Sequence, residues 1–377
     1  MAIWALVLGA AIIAIVLWDA FETIVLPRRV TRRLRLARLF YRSTWLPWAA
    51  MARHIRLRKR REAILGFFGP LSLIFLLSVW ALGLVFGFAL VQFGLGSALL
   101  APGWEVGFGT DLYVSGTTLF TLGLGDVTPT ATGSRVIEIV ESGVGFGFLA
   151  IVIGYLPVVY QSFSRREVNI SLLDARAGSP PTAAELLRRH SQDHGLEELQ
   201  RLLYEWERWS ADLLESAVSY PVLCYFRSQH DNQSWLAALT TILDTCALTI
   251  VGIEEACSRQ AQLTFAIARH AVVDLAQIFQ TRPRAAGADR LPTSDLVRLR
   301  NLVRKDGLAL YDGPGSEEKL AELRKMYEPY VQSLANYLLL SLPQWIAGEE
   351  VIDNWKTSAW GRISGFSPSA SAREDHM

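Results

Sequence analysis

Charge and cysteine are both scarce in this chain, and each shortage excludes a class of protein. Only 19% of the 377 residues are charged, whereas 51% are hydrophobic. An average soluble domain carries about 25% charge, so the chain is too apolar for a soluble protein and far from disordered composition. The three cysteines, Cys224, Cys246 and Cys257, form no CxxC pair. Neither a disulfide framework nor a zinc ribbon is therefore indicated.

Several patterns of regulated or catalytic proteins are missing as well. No apolar stretch carries an arginine at every third residue, which excludes a voltage sensor of the usual kind. No GxGxxG motif indicates a nucleotide-binding domain. His190 and His194 have the i, i+4 spacing of a helical zinc pair, but a third ligand and the HExxH glutamate are missing. Because no nucleophile–base set appears either, we expect no enzyme, no cofactor and no nucleic-acid partner.

Three long apolar stretches predict helices that cross a membrane, which takes about 20 apolar residues each. They predict an N-terminal transmembrane helix in residues 1–27, a second helix at 63–93 and a third at 135–162. Basic residues follow the first stretch instead of preceding it, so we interpret it as a retained helix and not as a signal peptide. The expected location is a bacterial inner membrane.

The segment 28–62 between the first two stretches is strongly basic, with 13 Lys and Arg residues and one acid. Since cytoplasmic loops carry such an excess, the N-terminus is predicted outside and the C-terminal region in the cytoplasm. Interleaved apolar and basic residues predict an amphipathic helix on the inner leaflet. The arginines in Arg28–Arg61 either hold anionic lipid or only set the topology. Asp19 and Glu22, which precede them, are expected to meet these arginines.

The segment between the second and third stretches contains the hexapeptide Thr121–Asp126, TLGLGD, directly after SGTTLF. A short helix over 111–120, with Asp111 as its cap, leads into the hexapeptide. That helix is too short to span a bilayer and can enter it only when buried in protein. An ordinary glycine turn between two membrane helices is the simpler alternative.

With its flanking helices, this segment resembles the pore domain of potassium channels over residues 63–163, since TLGLGD is similar to their TVGYGD filter. The resemblance implies an all-α membrane protein and passive K⁺ conduction. One hexapeptide supplies a quarter of a filter ring, which implies a homotetramer. The implied ion-binding residues are Thr121, Leu122, Gly123, Leu124 and Gly125, with Thr118 and Asp126 as supports. K⁺ is the only metal ion expected.

Two features of the filter follow from this resemblance. Carbonyl groups that all face the pore need left-handed dihedrals at alternate residues, which Gly123 and Gly125 adopt without steric cost. Leu124 stands where the family usually has a tyrosine that braces the filter. A weakly selective cation channel is therefore an open alternative, as is a non-conducting membrane-anchored sensor or scaffold.

The third helix contains candidate gating residues, namely Gly145, Gly154 and Pro157. Gly145 lies 19 residues after Asp126, where the resemblance implies a hinge, and Pro157 removes a helical hydrogen bond. Close helix packing is the alternative role of the glycines. Arg135, Glu138 and Glu141 share one face of this helix, where Arg135 is expected to pair with Glu138.

The remaining residues predict a helical cytoplasmic domain at 164–363 and a polar tail at 364–377. Helical spacing over 182–216, 235–279, 294–309 and 316–340, without strand alternation, predicts a helical bundle. The aromatic and polar run 220–235 is either a ligand site or a tight corner between helices. This domain is a candidate to gate the pore together with the inner helix.

Overall fold

A computed structural model describes most of the chain. The described residues are 2–26, 35–103, 105–191, 195–229, 233–253, 256–283 and 289–348. Within them, twelve α-helices and one two-stranded ladder form an all-α membrane protein. The predicted tail at 364–377, Arg28–Arg33 of the basic segment and His194 lie outside the described residues.

The first two membrane helices lie side by side. Helix α1 (Ile3–Ala20) continues into a π-helical turn at Phe21–Val25 and packs along α3 (Arg58–Gly94). Gly9 and Gly87 permit this close approach, because a Cβ atom at Gly9 would lie 2.5 Å from the Gly87 carbonyl oxygen. Helix α3 begins five residues before the predicted boundary at residue 63, since the intervening Arg, Lys and Glu residues are good helix formers.

Asp19 has two hydrogen-bond partners that the sequence did not predict. Its Oδ2 atom accepts hydrogen bonds from the backbone N–H of Ala37 and from Nε1 of Trp80, both at 3.0 Å. The carboxylate thus joins α1 to α3 and to the start of the next helix, and it also interacts electrostatically with Arg35, one of the expected arginines. Glu22 does face an arginine, with 3.6 Å between its Oε2 atom and Nε of Arg35.

The basic segment contains the predicted amphipathic helix, α2 (Leu36–Arg53), but the apolar face of this helix covers protein. Phe40, Trp45 and Ala49 are buried on that face. Trp45 packs against the rings of Phe68 and Tyr225 and donates its Nε1–H to the Tyr337 carbonyl at 3.0 Å. Aromatic partners from distant sequence thus bury that face, whereas the position of α2 on the inner leaflet stays a prediction.

The segment between the second and third membrane helices contains the predicted short pore helix, α4 (Phe108–Leu119). It begins three residues before the predicted start, because Phe108 is held in the first turn by the rings of Phe86 and Phe93. Asp111 is not the cap, since its carboxylate accepts a 2.6 Å hydrogen bond from Ser97. Strand β1 (Leu99–Leu100) pairs antiparallel with β2 (Thr128–Pro129), which joins the two ends of the segment.

The inner helix α5 runs without a break from Thr132 to Ala177, whereas the predicted helix spans 135–162. The extension has an apolar stripe, Ile170, Leu173 and Ala177, that is buried in the core of the cytoplasmic domain. Helix α5 ends where Gly178 takes a φ of +82°. The boundary predicted at residues 163 and 164 therefore falls inside one continuous helix.

Seven helices follow α5 and form the predicted bundle. Their bounds are α6 (Ala183–Arg189), α7 (Gly195–Ser219), α8 (Trp235–Gly252), α9 (Ala256–Ile278), α10 (Thr293–Lys305), α11 (Ser316–Lys325) and α12 (Glu328–Leu338). The run 220–235 contains a 3₁₀ turn at Pro221–Tyr225 that packs between α3 and α7. Trp206, Trp209 and Trp235 are buried core residues.

Four helices are long and apolar enough to cross a membrane, one more than the three predicted. The fourth is α8, of which 94% of the apolar window is buried inside the protein. Helix α8 is surrounded by other helices of the bundle, so its apolar surface is already covered. We therefore assign α8 as the core helix of the C-terminal helical bundle and not as a membrane span.

Candidate ion-conduction site

The hexapeptide has the backbone conformation that aligned carbonyl groups require. The φ angles are +57° at Thr121, +53° at Gly123 and +76° at Gly125, so every second residue is left-handed. Glycine adopts this region freely, whereas Thr121 takes it at a cost of about 1–2 kcal/mol. The strained threonine was not predicted, because a sequence pattern marks only the glycines.

The pore helix holds the start of the hexapeptide through its last backbone carbonyls. The Thr118 carbonyl accepts from the N–H of Thr121 at 3.0 Å. The Thr117 carbonyl accepts from the N–H of Leu122 at 2.8 Å and from that of Gly123 at 3.3 Å. These bonds satisfy carbonyls that the end of α4 would otherwise leave unpaired, and they fix where the hexapeptide begins.

The end of the hexapeptide is held by a side chain of the pore helix. Tyr113 donates its hydroxyl hydrogen to Oδ2 of Asp126 at 2.8 Å. This contact joins the last residue of the hexapeptide to the pore helix. The sequence reasoning missed Tyr113. This residue lies within the pore helix, thirteen residues before Asp126.

A second contact, buried more deeply, joins the pore helix to the inner helix. Ser115 and Glu141 are both fully buried, and the Ser115 hydroxyl faces Oε1 of Glu141 and the Val85 carbonyl oxygen, the latter at 2.8 Å. Three helices, α3, α4 and α5, therefore meet at one hydroxyl group. Thr118 makes a longer contact of 3.4 Å with Oε1 of Glu138.

The spacing of Arg135 and Glu138 predicted an ion pair, but the two side chains do not pair. Its Nε–H donates to the Pro129 carbonyl at 3.1 Å, at the end of strand β2. The first turn of α5 is thereby tied to the segment that follows the hexapeptide. Glu138 faces the pore helix instead, because α5 turns this side toward α4.

The candidate gating residues have different surroundings. Gly145 lies against the end of the pore helix, where a Cβ atom would be 2.0 Å from the Leu119 carbonyl oxygen. Gly154 has open space around it, and Pro157 lies within the unbroken helix α5. A packing role for Gly145 therefore has direct geometric support, whereas the gating roles of all three residues stay predictions.

The side chains of the hexapeptide are uncovered in the single chain. Residues 120–126 are all exposed, and both Leu122 and Leu124 are 62% exposed. A leucine side chain cannot form a hydrogen bond, so no side-chain hydrogen bond can brace Leu124. One chain thus presents an open row of backbone carbonyls and leucines.

The inner helix also contacts the cytoplasmic domain through a buried arginine. Arg166 pairs with Glu167 at 3.0 Å and donates to the carbonyls of Leu223 at 2.8 Å and Phe226 at 3.1 Å. The two backbone carbonyls fasten the C-terminal part of α5 to the segment around the 3₁₀ turn.

Comparison with known proteins agrees with this arrangement. Residues 74–162, about a quarter of the chain, match the ion channel family. The matched stretch runs from α3 through α4 and the hexapeptide into α5. It supports a two-helix pore like that of potassium channels. No curated protein and no solved structure matches the chain.

The fold, the hexapeptide and the family match together define a membrane protein with an ion-channel domain. The domain occupies the middle of the chain, between helix α1 and the helical bundle.

Proposed function

We propose that this protein is one subunit of a homotetrameric potassium-selective channel that conducts K⁺ passively. The alternation of left-handed φ angles at Thr121, Gly123 and Gly125 is the observation that carries the proposal. A K⁺ ion must exchange its water shell for fixed oxygens at little net cost, and rings of backbone carbonyls offer such oxygens. Thr121, Leu122, Gly123, Leu124 and Gly125 supply these rings, supported by Asp126 and Thr118.

The exposure of residues 120–126 supports the tetramer. A conducting filter needs carbonyls from four sides, and one chain contains one hexapeptide. Four copies around a common axis would bring four such rows together. The C-terminal end of α4 lies directly before Thr121, so its negative dipole end favours a cation at the inner end of the filter.

The continuous helix α5 supports a gating route through the inner helix. Pro157 leaves the Ile153 carbonyl without its helical N–H donor, which weakens the helix at that point. Below it, Arg166 fastens the helix to the cytoplasmic domain. A displacement of that domain would thus pull on the inner helix, with bending at Gly154 or Pro157.

A weakly selective cation channel is the second candidate, and Leu124 is the observation that favours it. A leucine offers no hydroxyl to hold the filter at a fixed width. A filter without that brace would discriminate less well between K⁺ and Na⁺.

The test is ion flux into liposomes that contain the purified protein, with K⁺ and Na⁺ measured separately. We expect K⁺ flux that Ba²⁺ blocks and that Gly123→Ala abolishes, because alanine at that φ costs about 1–2 kcal/mol in each subunit. Gly133→Ala is the matched control, since Gly133 is helical and has open space around its Cβ position.

The other results of this experiment separate the alternatives. Equal K⁺ and Na⁺ flux would contradict potassium selectivity and favour the weakly selective cation channel. If a verified tetramer shows no flux even after the contacts between the cytoplasmic domain and the membrane helices are broken, the result would favour the non-conducting scaffold. Conduction by the Gly123→Ala variant equal to that of the Gly133→Ala control would contradict the filter assignment.

A further inference from the structure

A cavity of about 720 Å³ lies where the membrane helices meet the cytoplasmic domain. The turn after α1, helix α2, the middle of α5 and the ends of α9 and α12 all contribute to its wall. We call it the arginine cavity after Arg35, Arg38, Arg42, Arg53 and Arg282, which line it. The described residues place it on the same side of the membrane helices as the basic segment.

One face of α2 forms the first wall. Arg38, Arg42, Leu46 and Arg53, with Arg35 directly before the helix, follow a helical stripe with spacings of three, four, four and seven residues. Ala37 and Tyr41 of the same helix also line the cavity. This stripe is distinct from the apolar face that packs against Phe68 and Tyr225. The polar face of the amphipathic helix therefore lines a partly open cavity, and Arg42, Leu46 and Arg53 on this face are also exposed to solvent.

The positive charge of this cavity is largely uncompensated. Among the residues that the structure describes, Glu22 is the only carboxylate that lines the cavity, and it faces Arg35 at 3.6 Å. The guanidinium groups of Arg38, Arg42, Arg53 and Arg282 make no hydrogen bond or ion pair with any residue that the structure describes. Five arginines against one carboxylate leave four positive charges around a space that an anion can enter.

The floor of the cavity is aromatic. It is formed by Tyr41, Tyr155, Tyr225, Phe279 and Tyr337. Tyr41 stacks on Tyr225 with ring centroids 5.6 Å apart, and Phe279 lies 5.5 Å from Tyr337. A small inorganic anion would leave this apolar floor in contact with water, whereas an anion with an attached apolar group would cover it.

We propose that the arginine cavity binds one anionic phospholipid in each subunit, with the phosphate on Arg38, Arg42 and Arg282 and the start of the acyl chains on the aromatic floor. Guanidinium groups bind phosphate oxygens through two parallel hydrogen bonds. Exposed Leu26 and Leu46 line the same cavity and offer apolar contact for the chains. A soluble phosphate compound shares the headgroup chemistry but not the chains.

The bound lipid would join both halves of the molecule. Arg38 and Arg42 belong to α2, whereas Arg282 follows α9 in the cytoplasmic domain, so one phosphate between them holds the domain against the membrane helices. Binding itself does not depend on the proposed channel function. Only an effect of the lipid on K⁺ flux rests on that function.

The binding test uses the full-length protein in an uncharged detergent and native mass spectrometry. The probes are dioctanoyl phosphatidylglycerol, dioctanoyl phosphatidylcholine and glycerol 3-phosphate. We expect one phosphatidylglycerol per subunit and much weaker binding of the other two. The double variant Arg38→Gln, Arg42→Gln should weaken phosphatidylglycerol binding about 30-fold, since each basic residue near an anionic lipid contributes on the order of fivefold.

The control variant, Arg56→Gln with Arg60→Gln, removes the same charge from exposed positions outside the cavity. We expect it to bind phosphatidylglycerol as the unmodified protein does. Arg282→Gln tests the opposite wall and should weaken binding even where the α2 variant fails to fold.

Several results would overturn the proposal. Equal binding of both lipids, or equal loss in the control variant, would reduce the cavity to general surface charge. Glycerol 3-phosphate that competes as well as the lipid would assign the site to a soluble phosphate compound. In contrast, a protein that binds the lipid but shows no ion flux would support the lipid site and contradict only the proposed channel function.

Discussion

At the scale of single residues, the candidate site consists of the hexapeptide and of pore-helix side chains that contact it or the inner helix. Tyr113 and Ser115 extend from the pore helix to Asp126 and Glu141, respectively. Each contact crosses from one element to another. A local sequence motif therefore marks the carbonyl row but not the groups that hold it in place.

Tyr113→Phe removes the hydroxyl that donates to Asp126 and keeps the ring. We expect a tetramer of unchanged assembly with reduced K⁺ over Na⁺ selectivity, because the outer end of the filter loses one of its supports. The readout is the ratio of the two fluxes in liposomes. Tyr160→Phe is the control, since Tyr160 is 64% exposed. An unchanged ratio in Tyr113→Phe would show that Asp126 is held by other groups.

Glu141 offers a pair of variants that separate hydrogen bonding from volume. Glu141→Gln keeps an oxygen that accepts from Ser115 and should retain nearly all of the stability. Glu141→Ala loses that acceptor and leaves a cavity, at an expected cost of about 2–4 kcal/mol per subunit. Thermal unfolding of the purified protein measures both. Equal stability of the two variants would contradict a structural role for the Ser115 contact.

At the scale of elements, the apolar runs and the helical spacing predicted most of the helices. The membrane helices, the pore helix and the bundle were predicted because apolar periodicity and length are local properties of the sequence. The ends were less accurate. Helix α5 extends to Ala177 since its last turns are buried by helices distant in sequence, and no local pattern encodes that contact.

The same limit explains α2 and α8. The amphipathic pattern of α2 predicted a helix but not the partners of its apolar face, which are Tyr225 and Tyr337 of the C-terminal helical region, both in contact with Trp45 of α2. Helix α8 has the composition of a membrane span and is buried in a protein core instead. Apolar composition alone does not distinguish lipid from protein as the surroundings of a helix.

Gly145 connects the inner helix to the pore helix at the scale of elements. Gly145→Ala should force α5 away from Leu119 and lower stability by about 1–3 kcal/mol per subunit, because its Cβ would overlap the Leu119 carbonyl. Gly147→Ala in the same helix has open space at its Cβ position and should be neutral. Thermal unfolding and flux are measured on both. Altered flux with unchanged stability of Gly145→Ala would favour the hinge over the packing role.

At the scale of the whole molecule, the cytoplasmic domain is fastened to the membrane helices at several points. Arg166 binds the segment around the 3₁₀ turn, and Arg227 pairs with Glu62 at 3.5 Å near the start of α3. Burial lowers the pKa of the Arg227 guanidinium to about 10, so this cation is still charged at neutral pH. These contacts join sequence positions more than 50 residues apart.

Arg166→Met should loosen this connection while it preserves much of the buried volume. We expect faster proteolysis between α5 and α7 and a changed open fraction of the channel, because the carbonyls of Leu223 and Phe226 lose their donor. Arg165→Gln is the control, since Arg165 is exposed one residue earlier on α5. Limited proteolysis and flux are compared for the two variants. Identical cleavage rates would show that Arg166 does not fasten the domain.

The central claim is that four copies of the hexapeptide form a filter that selects K⁺. The most direct measurement is the reversal potential of the reconstituted protein in a planar bilayer with K⁺ on one side and Na⁺ on the other. The account predicts a reversal potential that follows the K⁺ gradient, with loss of current in Gly123→Ala. A reversal potential near zero under these conditions would contradict potassium selectivity.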